Sequence, residues 1–150
     1  MGMIATNIEN LLGELPGEVK IVAVTKTRSA EEALEAYTAG LRLLGENRVQ
    51  ELTAKKDLLP PDVSWHLIGH LQSNKVRQAV AAASVIESVD SLRLLQKIDD
   101  EAVRQEKNID CLLQFHIASE ETKQGFSIDE ADSTHWTEVA ASLQIGRAHV

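Results

Sequence analysis

Apolar and polar positions in this chain follow two alternating periodicities. Five short apolar runs, Val19–Val24, Leu41–Leu44, Ser64–Ile68, Ser84–Ile86 and Cys111–Ile117, read as β-strands bounded by polar segments. They begin 20 to 27 residues apart, and helical patterns fill the gaps. Ser29 followed by Glu32 fits a capping box, in which each side chain takes up an amide at the start of a helix. Leu34 and Tyr37 follow at helical spacing. Asp90 or Ser91 can cap a segment whose Leu92, Leu95, Ile98 and Ala102 share one face. Ser127 and Glu130 repeat the box pattern ahead of Trp136–Leu143. Strands that alternate with helices at this pitch predict βαβ units and an α/β fold with a parallel sheet. A doubly wound sheet and a (β/α)8 barrel both fit. The near-even spacing favours the barrel, which needs about 250 residues and eight units. Five strands are visible, so the expectation is a barrel truncated after about five βα units.

The last six residues, Ile145–Val150, can be encoded by ATCGGAAGAGCACACGTC, which resembles a common sequencing-adaptor read-through. The chain is therefore expected to consist of a partial barrel over 1–144 and a non-native tail over 145–150. Re-sequencing the source nucleic acid tests this; a native stop codon directly after Val150 would overturn it.

Composition narrows the class. With 43% hydrophobic and 25% charged residues, the chain has ordinary globular composition and is sized for one domain. Apolar runs such as Ala79–Ala83 are far too short to span a bilayer. Met1–Leu12 lacks the basic and long apolar regions of a secretory signal. The single cysteine, Cys111, cannot form an internal disulfide and reads as a small buried apolar residue. Together these predict a cytoplasmic protein with no membrane association. A net charge of −8, with lysines interspersed among acids as in Glu101–Lys107, argues against nucleic acid as a partner. A local anion site stays open, since one lysine outweighs net charge at short range.

Lys26 carries the most chemistry. It ends the first predicted strand, where barrel strands hand over to catalytic loops. Behind four apolar residues it can be partly desolvated, which frees an amine for Schiff-base formation. On its strand position alone, a solvated strand-end lysine is the commoner case. Gly45-Glu46-Asn47-Arg48-Val49-Gln50-Glu51 follows the second strand, and Trp65-His66-Leu67-Ile68-Gly69-His70-Leu71-Gln72-Ser73-Asn74-Lys75 spans the third strand and the next helix start. Glu87–Ser91, Leu113–Ile117 and Glu120–Phe126 accompany the later units. His66 and His70 straddle a strand end and Gly69 without an acidic third ligand, so no metal is expected. His116 reads as a hydrogen-bonded core or barrel-lining histidine, Lys123 as a solvated loop lysine or an anion contact, and Lys55-Lys56 as a solvated helix face.

Read together, these segments resemble the pyridoxal 5′-phosphate (PLP) homeostasis proteins, a family related to the N-terminal barrel of alanine racemase. The resemblance runs from about Val19 to Phe126, and the GENRVQE and WHLIGHLQSNK segments are specific in combination. It implies that Lys26 holds PLP as a Schiff base, that Asn47 lies beside the cofactor, and that His66 lines the same mouth. Thr25 stands where serine is common, Arg48 where another residue often stands, and Glu87 where histidine is frequent. The family's phosphate-holding loops and the arginine near the pyridine nitrogen belong to strands six to eight, beyond the matched segments. The resemblance implies reversible PLP binding without a reaction of its own, with PLP-dependent apoenzymes as possible recipients and a monomeric full-length parent. An amino-acid racemase is the competing reading; it needs a second acid/base on the opposite face of the cofactor, and Tyr37, the only tyrosine, falls on a predicted helix. A phosphate-binding barrel in which Lys26 is merely an ion-pair partner is the third.

Overall fold

The computed structural model describes residues 2–117, 125–127 and 148–149. Its strands are β1 (Val22–Val24), β2 (Leu43–Glu46), β3 (Ser64–Leu67), β4 (Val85–Val89), β5 (Ile109–Leu113) and β6 (Ala148–His149). They pair in parallel and in strict sequence order. The helices are α1 (Met3–Glu14), α2 (Ala30–Thr38), α3 (Val49–Lys56), α4 (Val76–Ala82), preceded by a 3-10 turn at Ser73–Lys75, and α5 (Leu92–Arg104). Strand order decides between the two candidate architectures. A doubly wound sheet reverses at a switch point, whereas barrel winding adds each strand to the same growing edge. The order here has no reversal, so the winding is that of the barrel.

Local chemistry sets the helix limits. Ser29 Oγ accepts from the Glu32 amide at 3.2 Å, and Glu32 Oε2 accepts from the Ser29 amide at 2.9 Å. Gly40, at φ 108°, ends α2: its amide reaches the Tyr37 carbonyl while the Leu41 amide reaches that of Ala36. This is the paired C-terminal bonding of a Schellman motif, which needs a left-handed residue. Ser91, not Asp90, caps α5 through the Leu94 amide.

The core lies on one side of the sheet. Leu44, Trp65, Leu67, Ile86 and Cys111 face the helices and pack with Ala33, Leu52, Val80, Leu95, Ile98 and Ala102. Burial pushes the Cys111 thiol up to about 12, with Asp110 and Asp99 adding to it, so the side chain is a neutral thiol in the core. On the opposite, concave side Val24 and Leu112 remain 51% and 53% exposed.

Several expectations shift. β1 is shorter than Val19–Val24, because the Val19 amide closes a turn onto Pro16. β2 starts two residues late and so takes Gly45 and Glu46 into the ladder. β4 extends to Val89, and β5 runs Ile109–Leu113 rather than to Ile117. Leu34 is exposed, and Ala33 and Ala36 supply the buried face of α2. α1 was not anticipated, although Ile4, Ile8 and Leu11 have helical spacing; it packs against α2 with no buried residue. β6 falls in the segment expected to be non-native, and Ala148 and His149 pair with Ile109 and Asp110. Lys123, Glu130 and Trp136–Leu143 lie outside the described residues. No helix among the described residues is long and apolar enough to cross a membrane.

Candidate functional site at the C-terminal edge of the sheet

Register arranges the expected residues. Val24 pairs with Gly45, and Gly45 with His66, so these three form one row across β1, β2 and β3. Residues two positions apart on a strand share a face. A Cβ on Gly45 would meet Val22 Cγ1 at 3.1 Å and Ile68 at 3.4 Å, so these residues share the face opposite the helices. Two residues beyond Val24 and Gly45 come Lys26 and Asn47. They follow neighbouring strands at the C-terminal edge, with His66 about 7 Å lower along its strand.

Lys26 sits in the turn after β1 and is exposed, as the solvated strand-end alternative has it and without the partial desolvation that its apolar neighbours allow. Its amine has no hydrogen-bond partner among the described residues. The turn around it is held on both sides. The Thr25 amide donates to the Gly45 carbonyl at 2.9 Å, continuing the ladder, and the Arg28 amide closes onto Thr25 O at 3.0 Å. Thr27 takes φ 62°, and its amide donates to Glu51 Oε2 at 3.2 Å. A positive φ in a β-branched residue is a strained conformation that its surroundings must over-determine.

Those surroundings include two residues that the sequence reading did not assign. Glu46 is fully buried on the helix side of β2, and its Oε1 accepts from Thr25 Oγ1 and from Lys55 Nζ, each at 2.6 Å. Lys55 Nζ also donates to the Thr25 carbonyl at 2.7 Å. Lys55 is thus not on a solvated face: it is buried, while Lys56 is part-exposed and reaches the Ala81 carbonyl. The signal was present, since Val49, Leu52 and Lys55 are spaced by three and form the buried stripe of α3.

Asn47 is exposed in the turn between β2 and α3, and its backbone is held by a close approach. A Cβ on Gly69 would lie 2.2 Å from Asn47 O and 2.8 Å from Asn47 Cα. Ser88 Oγ fixes the same glycine by donating to its carbonyl at 2.6 Å. An open groove of about 560 Å3 beside Asn47 is lined by Arg48, His70 and Lys75 among others. His66 is largely buried, and its Nδ1 lies 2.5 Å from Glu87 Oε1 on β4. Glu87, noted as a departure from the family pattern, is therefore the partner of a candidate site residue. His70 turns to a different carboxylate, Asp90, at 3.4 Å. His116 lies past β5 and is bonded to the Gly125 carbonyl at 3.0 Å.

Parallel strands in sequential order, with an amine and an amide at their C-terminal edge, define a barrel-type α/β domain with a candidate ligand site at its mouth. The chain belongs to the alanine racemase N-terminal domain family, whose match covers residues 1–146. A pyridoxal phosphate homeostasis protein of Synechocystis is 39% identical over 122 residues, covering 80% of this chain and 56% of that relative. The human protein of the same name is 35% identical over 127 residues, covering 78% and 46%. The chain spans about half the length of the curated relatives it matches. PipY of Synechococcus elongatus, solved without PLP, superposes with TM-score 0.89 at 38% identity over 99% of this chain and 68% of that one. Its PLP-bound structure gives 0.86. Alanine racemase of Clostridium difficile matches at TM-score 0.80 and 18% identity, a likeness of fold alone.

Proposed function

We propose that this protein binds pyridoxal 5′-phosphate reversibly on Lys26 and serves PLP homeostasis rather than a reaction of its own. The observation that carries the reading is the Lys26 amine: unpartnered among the described residues, at the mouth of a barrel-type sheet, in a turn held from both sides. The residues present fit the cofactor. An exposed amine suits an aldehyde, and beneath it Val22 and Ile68 close over Gly45 to give an apolar floor. Asn47 would offer its amide beside Lys26, and His66 a polar ring one row deeper. The cofactor supplies an aldehyde that condenses with an amine, releasing one water. The relatives named as homeostasis proteins and the PLP-bound PipY support the assignment.

A racemase is less well supported, because it needs a second proton donor opposite the cofactor. Tyr37 Oη bonds Asp62 Oδ1 at 2.7 Å from a helix, and that bond raises its pKa. A cytoplasmic, monomeric protein that passes PLP to apoenzymes belongs to the same reading. The test is PLP titration of the protein completed to the length of its relatives, with borohydride reduction and peptide mapping. Lys26→Ala should abolish the imine absorbance and the mapped adduct. An unchanged imine spectrum in that variant would show that another lysine carries the cofactor.

A further inference from the structure

We propose that the buried Glu46–Lys55 pair is a brace that positions Lys26 for its ligand, making both of them positioning residues. The inference rests on Lys26 being the cofactor lysine. Three groups from the segment between Glu46 and Lys55 grip the turn at successive points. Lys55 Nζ holds the Thr25 carbonyl, the oxygen of the peptide that joins Thr25 to Lys26. Glu46 Oε1 holds the Thr25 hydroxyl. Glu51 Oε2 holds the Thr27 amide, the next donor after Lys26. Lys26 itself is untouched, so the neighbouring backbone is fixed while the amine stays free.

Stability alone does not account for the pair. A buried ion pair surrenders the hydration of both charges, and replacing it with apolar residues of similar volume is often neutral or stabilising. Here the site is less favourable still, because Glu46 Oε2 is buried with no protein hydrogen-bond partner among the described residues. What an apolar pair cannot supply is a charged donor aimed at the Thr25 carbonyl. Thr27, held at φ 62°, is the residue whose conformation would relax without that grip. The pair sits on the helix side of the sheet, away from the concave face, so it acts through the backbone and not by touching the ligand.

The experiment compares Lys55→Met, Glu46→Gln and the double variant Glu46→Leu/Lys55→Met in the full-length protein. Denaturant unfolding, amide hydrogen exchange at Thr27 and Arg28 without PLP, and PLP titration with adduct mapping are read for each. The double variant is expected to keep near-parental unfolding. Its Thr27 and Arg28 amides should exchange faster, and its PLP affinity at Lys26 should fall about tenfold or more, the scale of a lost charge-assisted hydrogen bond. Parental exchange, or parental Lys26 labelling, in a stable double variant would overturn the brace. Should the double variant unfold, Glu46→Gln, which keeps the side chain's size but removes the charge that holds Lys55, must speed exchange at Thr27 or Arg28, or the proposal fails. Absence of Lys26 labelling in the unaltered protein would instead defeat the cofactor assignment, so the two failures appear in different measurements.

Discussion

The two faces of the sheet obey different rules. On the helix side, Leu44, Trp65, Leu67, Ile86 and Cys111 join one continuous apolar cluster, and almost any neighbour of similar volume would serve. On the concave side the chemistry is sparse and specific: His66 meets Glu87, Val22 and Ile68 close over Gly45, and Lys26 and Asn47 lie at the rim. The first face makes the domain fold; the second decides what the domain can hold. The Glu46–Lys55 pair crosses this division, as a polar device embedded in the packing face that acts on the rim of the other.

The comparison breaks most visibly if packing residues control ligand occupancy. Leu44 is fully buried beneath the helices. Leu44→Ala in the full-length protein should cost about 2–5 kcal/mol of stability, the range for buried leucine truncations. The fraction of folded molecules labelled at Lys26 under saturating PLP should not change. Loss of labelling in a population still folded by circular dichroism would show that the two faces are not separable.

A smaller effect should come from a position belonging to both. Gly69→Ala places a Cβ 2.2 Å from Asn47 O, a backbone atom that cannot swing aside. Overpacking of this kind costs about 1–3 kcal/mol. Because the strain falls on the turn that carries Asn47, PLP affinity should weaken along with stability. A fall in the unfolding midpoint with parental PLP affinity would mean that the Asn47 turn plays no part at the mouth.

Which parts were legible follows from the same division. Periodicity reports packing, so the five strands, the four described helices between them and the Ser29–Glu32 capping box could be read directly from local spacing. The strand limits were off by up to four residues, because apolar character does not say where ladder hydrogen bonds stop: Val19 is apolar yet closes a turn on Pro16. The choice of barrel over doubly wound sheet depends on strand order, which local sequence does not encode. Lys26 stands out by its place at a strand end and by family resemblance, and of its two readings the exposed one holds. Four apolar neighbours along a strand do not bury a side chain at the open end of the sheet. Lys55 was missed because a lysine beside another lysine suggests solvent; its partners, Glu46 and the Thr25 carbonyl, lie nine and thirty residues away. The Gly69–Asn47 approach is likewise a contact between two loops, 22 positions apart, that neither segment announces alone.

The smallest expected effect sharpens the comparison at the rim. Asn47 is exposed, and its side chain makes no hydrogen bond among the described residues, so removing it takes nothing from the fold. Its backbone would remain pinned against Gly69, since that contact involves Asn47 O and Cα and no side-chain atom. Asn47→Ala should therefore leave the unfolding midpoint within about 0.5 kcal/mol of the parent, as for surface substitutions generally. If the amide contacts PLP, its loss costs about 0.5–1.5 kcal/mol of binding, the net worth of one hydrogen bond and a change of several-fold in Kd. Lys26 would remain the labelled residue, because its turn is held by Glu46, Glu51 and Lys55 and not by Asn47. Equilibrium titration with PLP, alongside adduct mapping, separates these readouts. An unchanged Kd would remove Asn47 from the site, and a shift of the adduct to another lysine would mean that Asn47 helps to select Lys26.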